Sequence, residues 1–346
     1  MITESINQQF LSSLDNYRDK ALINLLAAIP DRQPKRHLYD LIPIYPKRGG
    51  KGFRPALCLA TCKLFGGTED EAMNSAIAIE LLHNAFLVHD DIEDESEERR
   101  GSPTLHSIYG IPVALNVGDA INVLAIESLM RNLRSLGSQL TWQVFNEIQY
   151  MALESVEGQA MELGWRMENN CDLSERDYLR MVLKKTCWYT CIHPIRVGAL
   201  IGSKGKANLD ALNRFGYYLG AAFQIQDDLL NLNGEKNIYG KEICGDLQEG
   251  KRTLILIQLL KLCNAAEKKE IRNFLSLSRI ERTSDKIDTL MFYIEKYDCI
   301  NFAKNAAYNL VGAALKEFYS CFAGFKESEE KRFLENMILY MITRDK

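Results

Sequence analysis

Apolar residues recur at intervals of three and four positions over long stretches of this chain, which is the spacing of one face of an α-helix. This pattern covers residues 71–94, 142–165, 174–193, 208–232 and 252–275. Glycine and proline separate the stretches, and alternating β-branched runs joined by hairpin turns are nearly absent. The pattern predicts an all-α protein, with a single domain over residues 1–346 and ten or more helices around a central core.

Composition narrows the class of protein. The chain has 346 residues, of which 47% are hydrophobic and 25% charged, so it is neither disordered nor fibrous. Its net charge of −4 argues against a general nucleic-acid partner. No uncharged apolar run approaches the roughly 18 residues that span a bilayer. The N-terminus lacks the features of a signal peptide, and nine cysteines is an odd number. We therefore expect no membrane span, free thiols and a cytoplasmic location.

A first acidic cluster follows an apolar helical stretch. At about 100° per residue, Asp90, Asp91 and Asp94 share an arc of about 100° with His83 and Leu87. An acidic run alone is typical of a solvated helix end. Here three carboxylates project from the end of an apolar wall, which is costly unless cations neutralise them. Carboxylates on a rigid helix suit Mg²⁺, which takes its remaining ligands from water and phosphate.

A second cluster repeats the pattern far downstream. Gln224, Asp227, Asp228 and Asn231 span roughly 100° of one helix face whose neighbours are apolar or small. An isolated Asp-Asp pair on a helix is usually surface decoration. Two such pairs, each at the end of an apolar helix, would form a clamp for several Mg²⁺ ions around a diphosphate if they faced each other.

Basic residues accompany these clusters. Lys51 and Arg54 lie in a glycine-rich turn before a helix, where they and free backbone N–H groups would bind phosphate oxygens. Lys185 lies among apolar residues and needs a buried partner or an anion. Each basic group also has a simpler interpretation, an ordinary turn or charge balance. The spacing of Gly245, Gly250 and Lys251 resembles a P-loop, but Arg252 stands where Ser or Thr must bind Mg²⁺.

The sequence pattern argues against a zinc site and against a calcium site. Cys187, Cys191 and His193 lack a fourth ligand and the usual spacing of a zinc site, so they are interpreted as core residues. No Asp-x-Asp-x-Asp-Gly loop for calcium is present.

Together these motifs resemble those of the trans-isoprenyl diphosphate synthase (polyprenyl synthetase) family. The matching blocks follow in family order: Gly49-Gly50-Lys51 with Arg54-Pro55, Glu80-Leu81-Leu82-His83, Asp90-Asp91-Ile92-Glu93-Asp94 with Arg99-Arg100-Gly101, Lys185-Thr186, Phe223-Gln224 through Asn231, Gly240-Lys241 and Gly250-Lys251. The resemblance implies an orthogonal helical bundle around a central apolar cavity, in a homodimer. It also implies head-to-tail condensation of isopentenyl diphosphate with dimethylallyl, geranyl or farnesyl diphosphate.

The resemblance assigns roles to residues of this chain. The implied ligands of two or three Mg²⁺ ions are Asp90, Asp91, Asp94, Asp227 and Asp228, with Asn231 where the family usually has Asp. The implied contacts of the allylic diphosphate are Arg99, Lys185, Thr186, Gln224, Lys241 and Lys251. The implied contacts of isopentenyl diphosphate are Lys51, Arg54, His83 and Arg100.

Product length is predicted from the residues before the first aspartate. Phe86 lies one turn before Asp90, about 5.4 Å deeper, and would form a floor beside the small Ala85. In the family that the motifs resemble, two bulky residues there suggest a C15 product and one small residue permits C20. The resemblance therefore favours geranylgeranyl diphosphate (C20), and farnesyl diphosphate (C15) is the alternative. A class I terpene cyclase also ionises diphosphates but needs no isopentenyl site. A non-catalytic partner subunit would be expected to lose aspartates that this chain keeps.

Overall fold

The computed structural model of the protein describes residues 2–233 and 244–343, and these residues are mostly helical. The N-terminal half comprises α1 (Ile2–Ala28), a π-helical turn (Lys35–Tyr39), α2 (Ile44–Lys47), α3 (Phe53–Leu64), α4 (Glu69–Glu93), α5 (Leu105–Tyr109) and α6 (Ile111–Met167). The remainder comprises α7 (Glu175–Val182), a π-helical segment (Leu183–Ile192), α8 (His193–Gly202), a 3₁₀ turn (Leu209–Leu212), α9 (Asn213–Asn233), α10 (Gly245–Glu249), α11 (Leu254–Leu262), α12 (Ala265–Leu275), α13 (Ser284–Lys296), α14 (Cys299–Cys321) and α15 (Glu329–Thr343). The all-α prediction is confirmed, whereas the single domain over residues 1–346 stays a prediction.

Helix α4 carries the first acidic cluster at its C-terminal end. It begins at a capping box, in which the Thr68 hydroxyl accepts from the N–H of Glu71 and the Glu71 carboxylate accepts from the N–H of Thr68. The helix is buried over most of its length and packs against α3 and α6. Its rigid, buried body therefore holds Asp90 and Asp91 in a fixed position at its last turn.

Helix α9 carries the second cluster and lies between two apolar cores. Phe215 and Leu219 belong to the core beneath α3 and α4, whereas Ile225 and Leu229 pack against α11 and α14. A Cβ atom at Gly220 would lie 2.8 Å from the Cα of Cys187, so only glycine allows α9 to approach the π-helical segment this closely. This approach brings the second cluster beside Lys185 and Thr186.

The helix predicted over residues 174–193 contains an unexpected π-helical part. It begins at a capping box, in which Ser174 Oγ accepts from the N–H of Asp177 and the Asp177 carboxylate accepts from the N–H of Ser174. From Leu183 to Ile192 the helix widens to π geometry before α8 continues it. An apolar spacing of three and four residues predicts a helix but not its widening, and such segments are often found at functional sites.

Three other local features differ from the sequence pattern. Residues 98–103 form a short antiparallel pair, with Glu98 opposite Pro103, between the first acidic cluster and α5. The apolar stretch 252–275 is two helices, because the Asn264 side chain accepts from two backbone N–H groups and starts α12. Helix α6 is bent at Gly137, whose φ of 74° is not helical.

Helix α6 also bears on the prediction that no segment could span a membrane. Among the described residues it is the one helix that is long and apolar enough to cross a bilayer by length and composition, and 44% of its most apolar window is buried. Core helices of soluble proteins can meet the same criterion.

Candidate active site

A cavity of about 280 Å³ lies between α4, α9, the π-helical segment and residues 246–253. Predicted site residues that line this cavity are Lys51, Arg54, His83, Asp90, Arg99, Arg100, Lys185, Thr186, Gln224, Asp227, Asp228 and Lys251. Predicted residues that do not line it are Ala85, Phe86, Asp91, Asp94 and Asn231. Lys241 lies outside the described residues.

The resemblance implied an apolar cavity, but the lining of this cavity is partly polar. Phe53, Leu87 and Phe223 contribute apolar surface, but charged side chains line much of the cavity. The reason is that both acidic helix ends and the basic turn at residues 50–54 open into the same space.

The two aspartates of the first pair have different surroundings. The Asp90 side chain is 22% exposed, lines the cavity, and its Oδ1 accepts from Lys185 Nζ at 3.3 Å. The Asp91 side chain is 1% exposed and is held between Arg99 and the hydroxyl of Tyr45. Asp90 thus lines the cavity, whereas Asp91 does not and has both oxygens bound by protein groups.

Asp94 lies behind the cavity in a buried ion-pair network. Its carboxylate contacts Arg166 and lies 2.8 Å from Lys251 Nζ. Lys251 Nζ also lies 2.7 Å from Glu249 Oε2. The other oxygen of this carboxylate, Glu249 Oε1, accepts from Ser96 Oγ at 2.8 Å. Burial alone would lower the pKa of Lys251, but the charges of Asp94 and Glu249 raise it well above its ordinary value. Lys251 therefore remains a cation that joins the two sides of the cavity.

The second pair lines the same cavity as Asp90. Asp227 is partly exposed, and Asp228 is nearly buried. Burial, reinforced by the nearby charge of Asp246, raises the pKa of Asp228 well above its ordinary value. Thr186 Oγ1 donates to Gln224 Oε1 at 2.8 Å, and Gln224 Nε2 donates to Asp228 Oδ1 at 2.8 Å. Thr186 and Gln224 thus form one hydrogen-bonded chain that ends on Asp228.

Asn231 does not line the cavity. It is 2% exposed, and its side-chain oxygen accepts from the backbone N–H of Asp246 at 3.0 Å. Because this bond ties the end of α9 to α10, Asn231 holds Asp246 beside Asp228. Its role as a metal ligand stays a prediction.

Lys185 lies on the π-helical segment and faces the first cluster. Its Nζ contacts Asp90 and Glu162. Burial acts to lower the pKa of Lys185, but the charges of Asp90 and Glu162 raise it above the usual range, so the side chain stays charged. The sequence had indicated a buried partner or an anion for this lysine, and the structure supplies the partner.

A basic group forms a separate part of the cavity. Lys51, Arg54, His83 and Arg100 line it together with Glu80. Arg54 donates to Thr190 Oγ1 at 2.9 Å, and its guanidinium carbon lies 4.4 Å from the centre of the Tyr189 ring. These contacts hold a charged fork in one orientation, which suits a phosphate group.

Arg100 approaches the backbone of the glycine-rich turn. A Cβ atom at Gly50 would lie 2.7 Å from Arg100 Nη2, and the φ of Gly50 is +154°, so glycine is required there. Arg100 also donates to the carbonyl of Tyr45 at 2.9 Å. Burial lowers the pKa of Arg100 to about 10, although Glu80 opposes the shift, which leaves the guanidinium charged at neutral pH.

The sequence analysis missed four polar residues of the site. Tyr45 and Tyr178 bind the aspartate pairs, Glu162 pairs with Lys185, and Asp246 lines the cavity beside Asp228. Asp246 lies in the glycine-punctuated segment that was considered only as a P-loop. The other three carry no local sequence pattern that marks them.

The donor set fits a cation that prefers oxygen ligands. Asp90 lines one wall, while Asp227, Asp228 and Asp246 line the other. Within residues 2–233 and 244–343, no three His, Cys, Asp or Glu side chains converge on a point that could hold a metal ion. An ion there would complete its shell from water and phosphate, which is how Mg²⁺ is commonly bound.

Comparisons with known proteins show the family of the chain. The sequence matches the polyprenyl synthetase family over residues 35–293. It is 31% identical over 341 residues to a geranylgeranyl pyrophosphate synthase of Geoglobus acetivorans, covering 97% of this chain and 99% of that protein. It is 35% identical over 259 residues to the geranylgeranyl diphosphate synthase of Sulfolobus acidocaldarius, covering 75% of this chain and 77% of that protein.

The fold supports the same assignment. The structure matches a crystal structure of geranylgeranyl pyrophosphate synthetase from Pyrococcus horikoshii with a TM-score of 0.82 and 29% sequence identity. The match covers 98% of this chain and 99% of that one. Because the family match covers residues 35–293 and the fold agrees with it, the chain belongs to the polyprenyl synthetase family.

Proposed function

We propose that this chain is a Mg²⁺-dependent prenyltransferase that condenses isopentenyl diphosphate head-to-tail with allylic diphosphates, with geranylgeranyl diphosphate as its product. One observation carries the proposal: a single cavity is lined by Asp90 of the first pair, by Asp227 and Asp228 of the second and, apart from them, by a basic group. A reaction that joins two diphosphates needs two diphosphate sites, and the cavity offers both. The names of the relatives from Geoglobus acetivorans and Sulfolobus acidocaldarius support the C20 product.

The allylic diphosphate is assigned to the acidic side. Asp90 and Asp227, with Asp94, Asp228 and Asp246 near them, would hold two or three Mg²⁺ ions. These ions would neutralise the charge that develops on the departing diphosphate. The basic contacts proposed for this diphosphate are Arg99, Lys185, Lys251 and, from the motif alone, Lys241. Asp91 and Asn231 have their side-chain oxygens engaged by other protein groups, so we assign them a supporting role.

Isopentenyl diphosphate is assigned to Lys51, Arg54, His83 and Arg100. Holding its double bond close to the allylic carbon makes the bond-forming step effectively unimolecular. The allylic C–O bond breaks with its electron pair on the leaving pyrophosphate, and the isopentenyl double bond attacks the allylic carbon. The proton lost afterwards goes to the released pyrophosphate, so no side-chain base is required. The apolar part of the lining, at Phe53, Leu87 and Phe223, would keep water from the cation.

The basic group also separates this function from the alternatives. A class I terpene cyclase ionises one diphosphate and has no use for Lys51, Arg54 and Arg100 in the same cavity. A non-catalytic subunit does not need to keep Asp90 and Asp227 facing that cavity. A farnesyl diphosphate synthase would use the same two groups of residues and would differ only in the depth of its cavity.

The test is a product assay with purified protein, Mg²⁺ and labelled isopentenyl diphosphate. Dimethylallyl, geranyl and farnesyl diphosphate are supplied in turn, and the dephosphorylated products are sized. All three primers are expected to yield a C20 alcohol. A C15 end product would support the proposed condensation but contradict the proposed C20 product. No incorporation of label with any primer would refute the proposal.

We further propose that Phe86 limits product length. Its ring lies edge-to-face with that of Tyr189, at 5.8 Å between centroids, and Tyr189 lines the cavity. Phe86→Ala is expected to shift the product from C20 towards C25 or longer, because the space below the allylic site deepens. Phe292→Ala, a change at an exposed aromatic on α13, is the control and should keep the C20 product. An unchanged product from Phe86→Ala would assign the floor to other residues.

A homodimer is the proposed assembly. Helix α6 exposes apolar side chains at helical spacing along one face, at Leu115, Val123, Ile126, Met130 and Leu133. Exposed apolar stripes of this kind mark protein interfaces. In light scattering, the wild type is expected at twice the monomer mass and Ile126→Glu as a monomer. Ile23→Glu, at an equally exposed apolar site on α1, should stay dimeric. A monomeric wild type would contradict the proposal.

We also propose a cytoplasmic location. All nine cysteines are free in the structure, as expected for a protein in a reducing compartment.

A further inference from the structure

The second aspartate of each Asp-Asp pair is bound by a tyrosine hydroxyl from a different helix. In the first pair, Tyr45 on α2 donates its hydroxyl proton to Asp91 Oδ2 at 2.5 Å. The other oxygen, Asp91 Oδ1, accepts from Arg99 Nε at 2.8 Å. Both oxygens of this buried carboxylate are therefore fixed by groups outside α4.

The second pair shows the same arrangement. Tyr178 on α7 donates its hydroxyl proton to Asp228 Oδ2 at 2.7 Å. The other oxygen, Asp228 Oδ1, accepts from Gln224 Nε2 at 2.8 Å. Asp228 is 4% exposed, so its geometry is set by these two donors rather than by water.

Both tyrosines are themselves immobile. Each is 1% exposed, and each belongs to the largest fully buried side chains of the protein. The Tyr45 oxygen also accepts from the backbone N–H of Leu105 at 3.1 Å, which fixes the hydroxyl from the opposite side. A packed tyrosine ring has only two rotatable side-chain bonds, so its hydroxyl is a fixed point in the fold.

Fixing one aspartate of a pair also fixes the direction of the other. Neighbouring side chains on a helix point about 100° apart around the axis. Asp91, bound by Tyr45 and Arg99, does not line the cavity, whereas Asp90 does. In the second pair both aspartates line the cavity, and Tyr178 and Gln224 fix the carboxylate of Asp228 beside Asp227. At both helix ends a tyrosine from a different part of the chain thus holds the second aspartate.

We propose that Tyr45 and Tyr178 are positioning residues that anchor the second aspartate of each pair and thereby present the first to the metal–diphosphate complex. This inference rests on the proposed function, because it assumes that divalent cations bind between the pairs. Tyr45 lies outside the cavity lining and Tyr178 within it, and both would act through the aspartates they bind.

The test is metal-dependent binding rather than turnover. Calorimetry measures the affinity of full-length Tyr178→Phe for a non-reactive allylic thiodiphosphate, with Mg²⁺ and with EDTA. The Mg²⁺-dependent affinity is expected to fall about tenfold, since one hydrogen bond to a charged group is lost, and affinity in EDTA should match the wild type. Tyr293→Phe is the matched control, because Tyr293 donates to Glu270 at 2.8 Å on the exposed surface.

Tyr45→Phe gives an independent test at the other pair and decides the proposal if Tyr178→Phe does not fold. Wild-type Mg²⁺-dependent affinity in folded Tyr178→Phe and Tyr45→Phe would overturn the inference. An equal loss of affinity with Mg²⁺ and with EDTA would also overturn it, because a tyrosine with a merely structural role would affect both affinities alike. If the wild type itself showed no Mg²⁺-dependent binding, the proposed function would fail instead.

Discussion

Replacing Asp90 by Asn is expected to lower kcat by about 10³-fold, the largest effect of any single substitution proposed for this protein. Asp90 is the aspartate of the first pair that lines the cavity, and it contacts Lys185, which faces the same space. The change removes a charged oxygen ligand but keeps the size of the side chain. The fold is expected to persist because the Asp90 side chain is 22% exposed, whereas the Asp91 side chain is 1% exposed. The measurement is kcat at saturating concentrations of both substrates, repeated over a range of Mg²⁺ concentrations.

Glu97→Gln is the control for this experiment. Glu97 belongs to the same acidic run but is exposed and does not line the cavity. Its substitution is expected to leave kcat within about twofold of the wild type, since exposed charges contribute little. If Asp90→Asn retained wild-type kcat at every Mg²⁺ concentration, the acidic side of the cavity would not be the ionisation site.

The second large effect is expected at the basic group. Arg54→Met should raise the KM for isopentenyl diphosphate about 10²-fold, because hydrogen bonds from a charged group to phosphate are worth roughly 1.5–3 kcal/mol. The Arg54 guanidinium is held by Thr190 and the Tyr189 ring, so it is already oriented for a ligand in the cavity. The KM for the allylic diphosphate should change little, since that substrate is assigned to the opposite side.

Separate KM values for the two substrates decide the result. Arg32→Met, at an exposed arginine remote from the cavity lining, should alter neither value. Parallel increases in both KM values for Arg54→Met would show that the two diphosphates share one site. No increase in either would remove Arg54 from the isopentenyl site.

The two acidic helix ends could be predicted from the sequence because their pattern is local. Apolar spacing identified the helices that became α4 and α9, and the helical step placed Asp90 and Asp227 near the ends of apolar faces. The capping box at Ser174 was likewise predictable, since its two hydrogen bonds join residues three positions apart. The approach of the two helices to one cavity followed only from the resemblance to a family.

Partners that are distant along the chain could not be predicted in this way. Tyr45 is 46 positions from Asp91, and Tyr178 is 50 positions from Asp228, so only the tertiary packing brings them together. The same limit explains Asn231: its motif position indicates a metal ligand, but its oxygen accepts from the backbone of Asp246. The π-helical segment was missed because three- and four-residue spacing does not distinguish it from an α-helix.

The proposed condensation is tested most directly by measuring two products in one reaction. Purified protein is given Mg²⁺, farnesyl diphosphate and labelled isopentenyl diphosphate, and both pyrophosphate release and label incorporated into prenyl product are followed. One pyrophosphate is expected to be released for each isopentenyl unit incorporated, and none when isopentenyl diphosphate is omitted. Pyrophosphate released at the same rate without isopentenyl diphosphate would contradict the proposed condensation and indicate an enzyme that ionises one diphosphate without elongation.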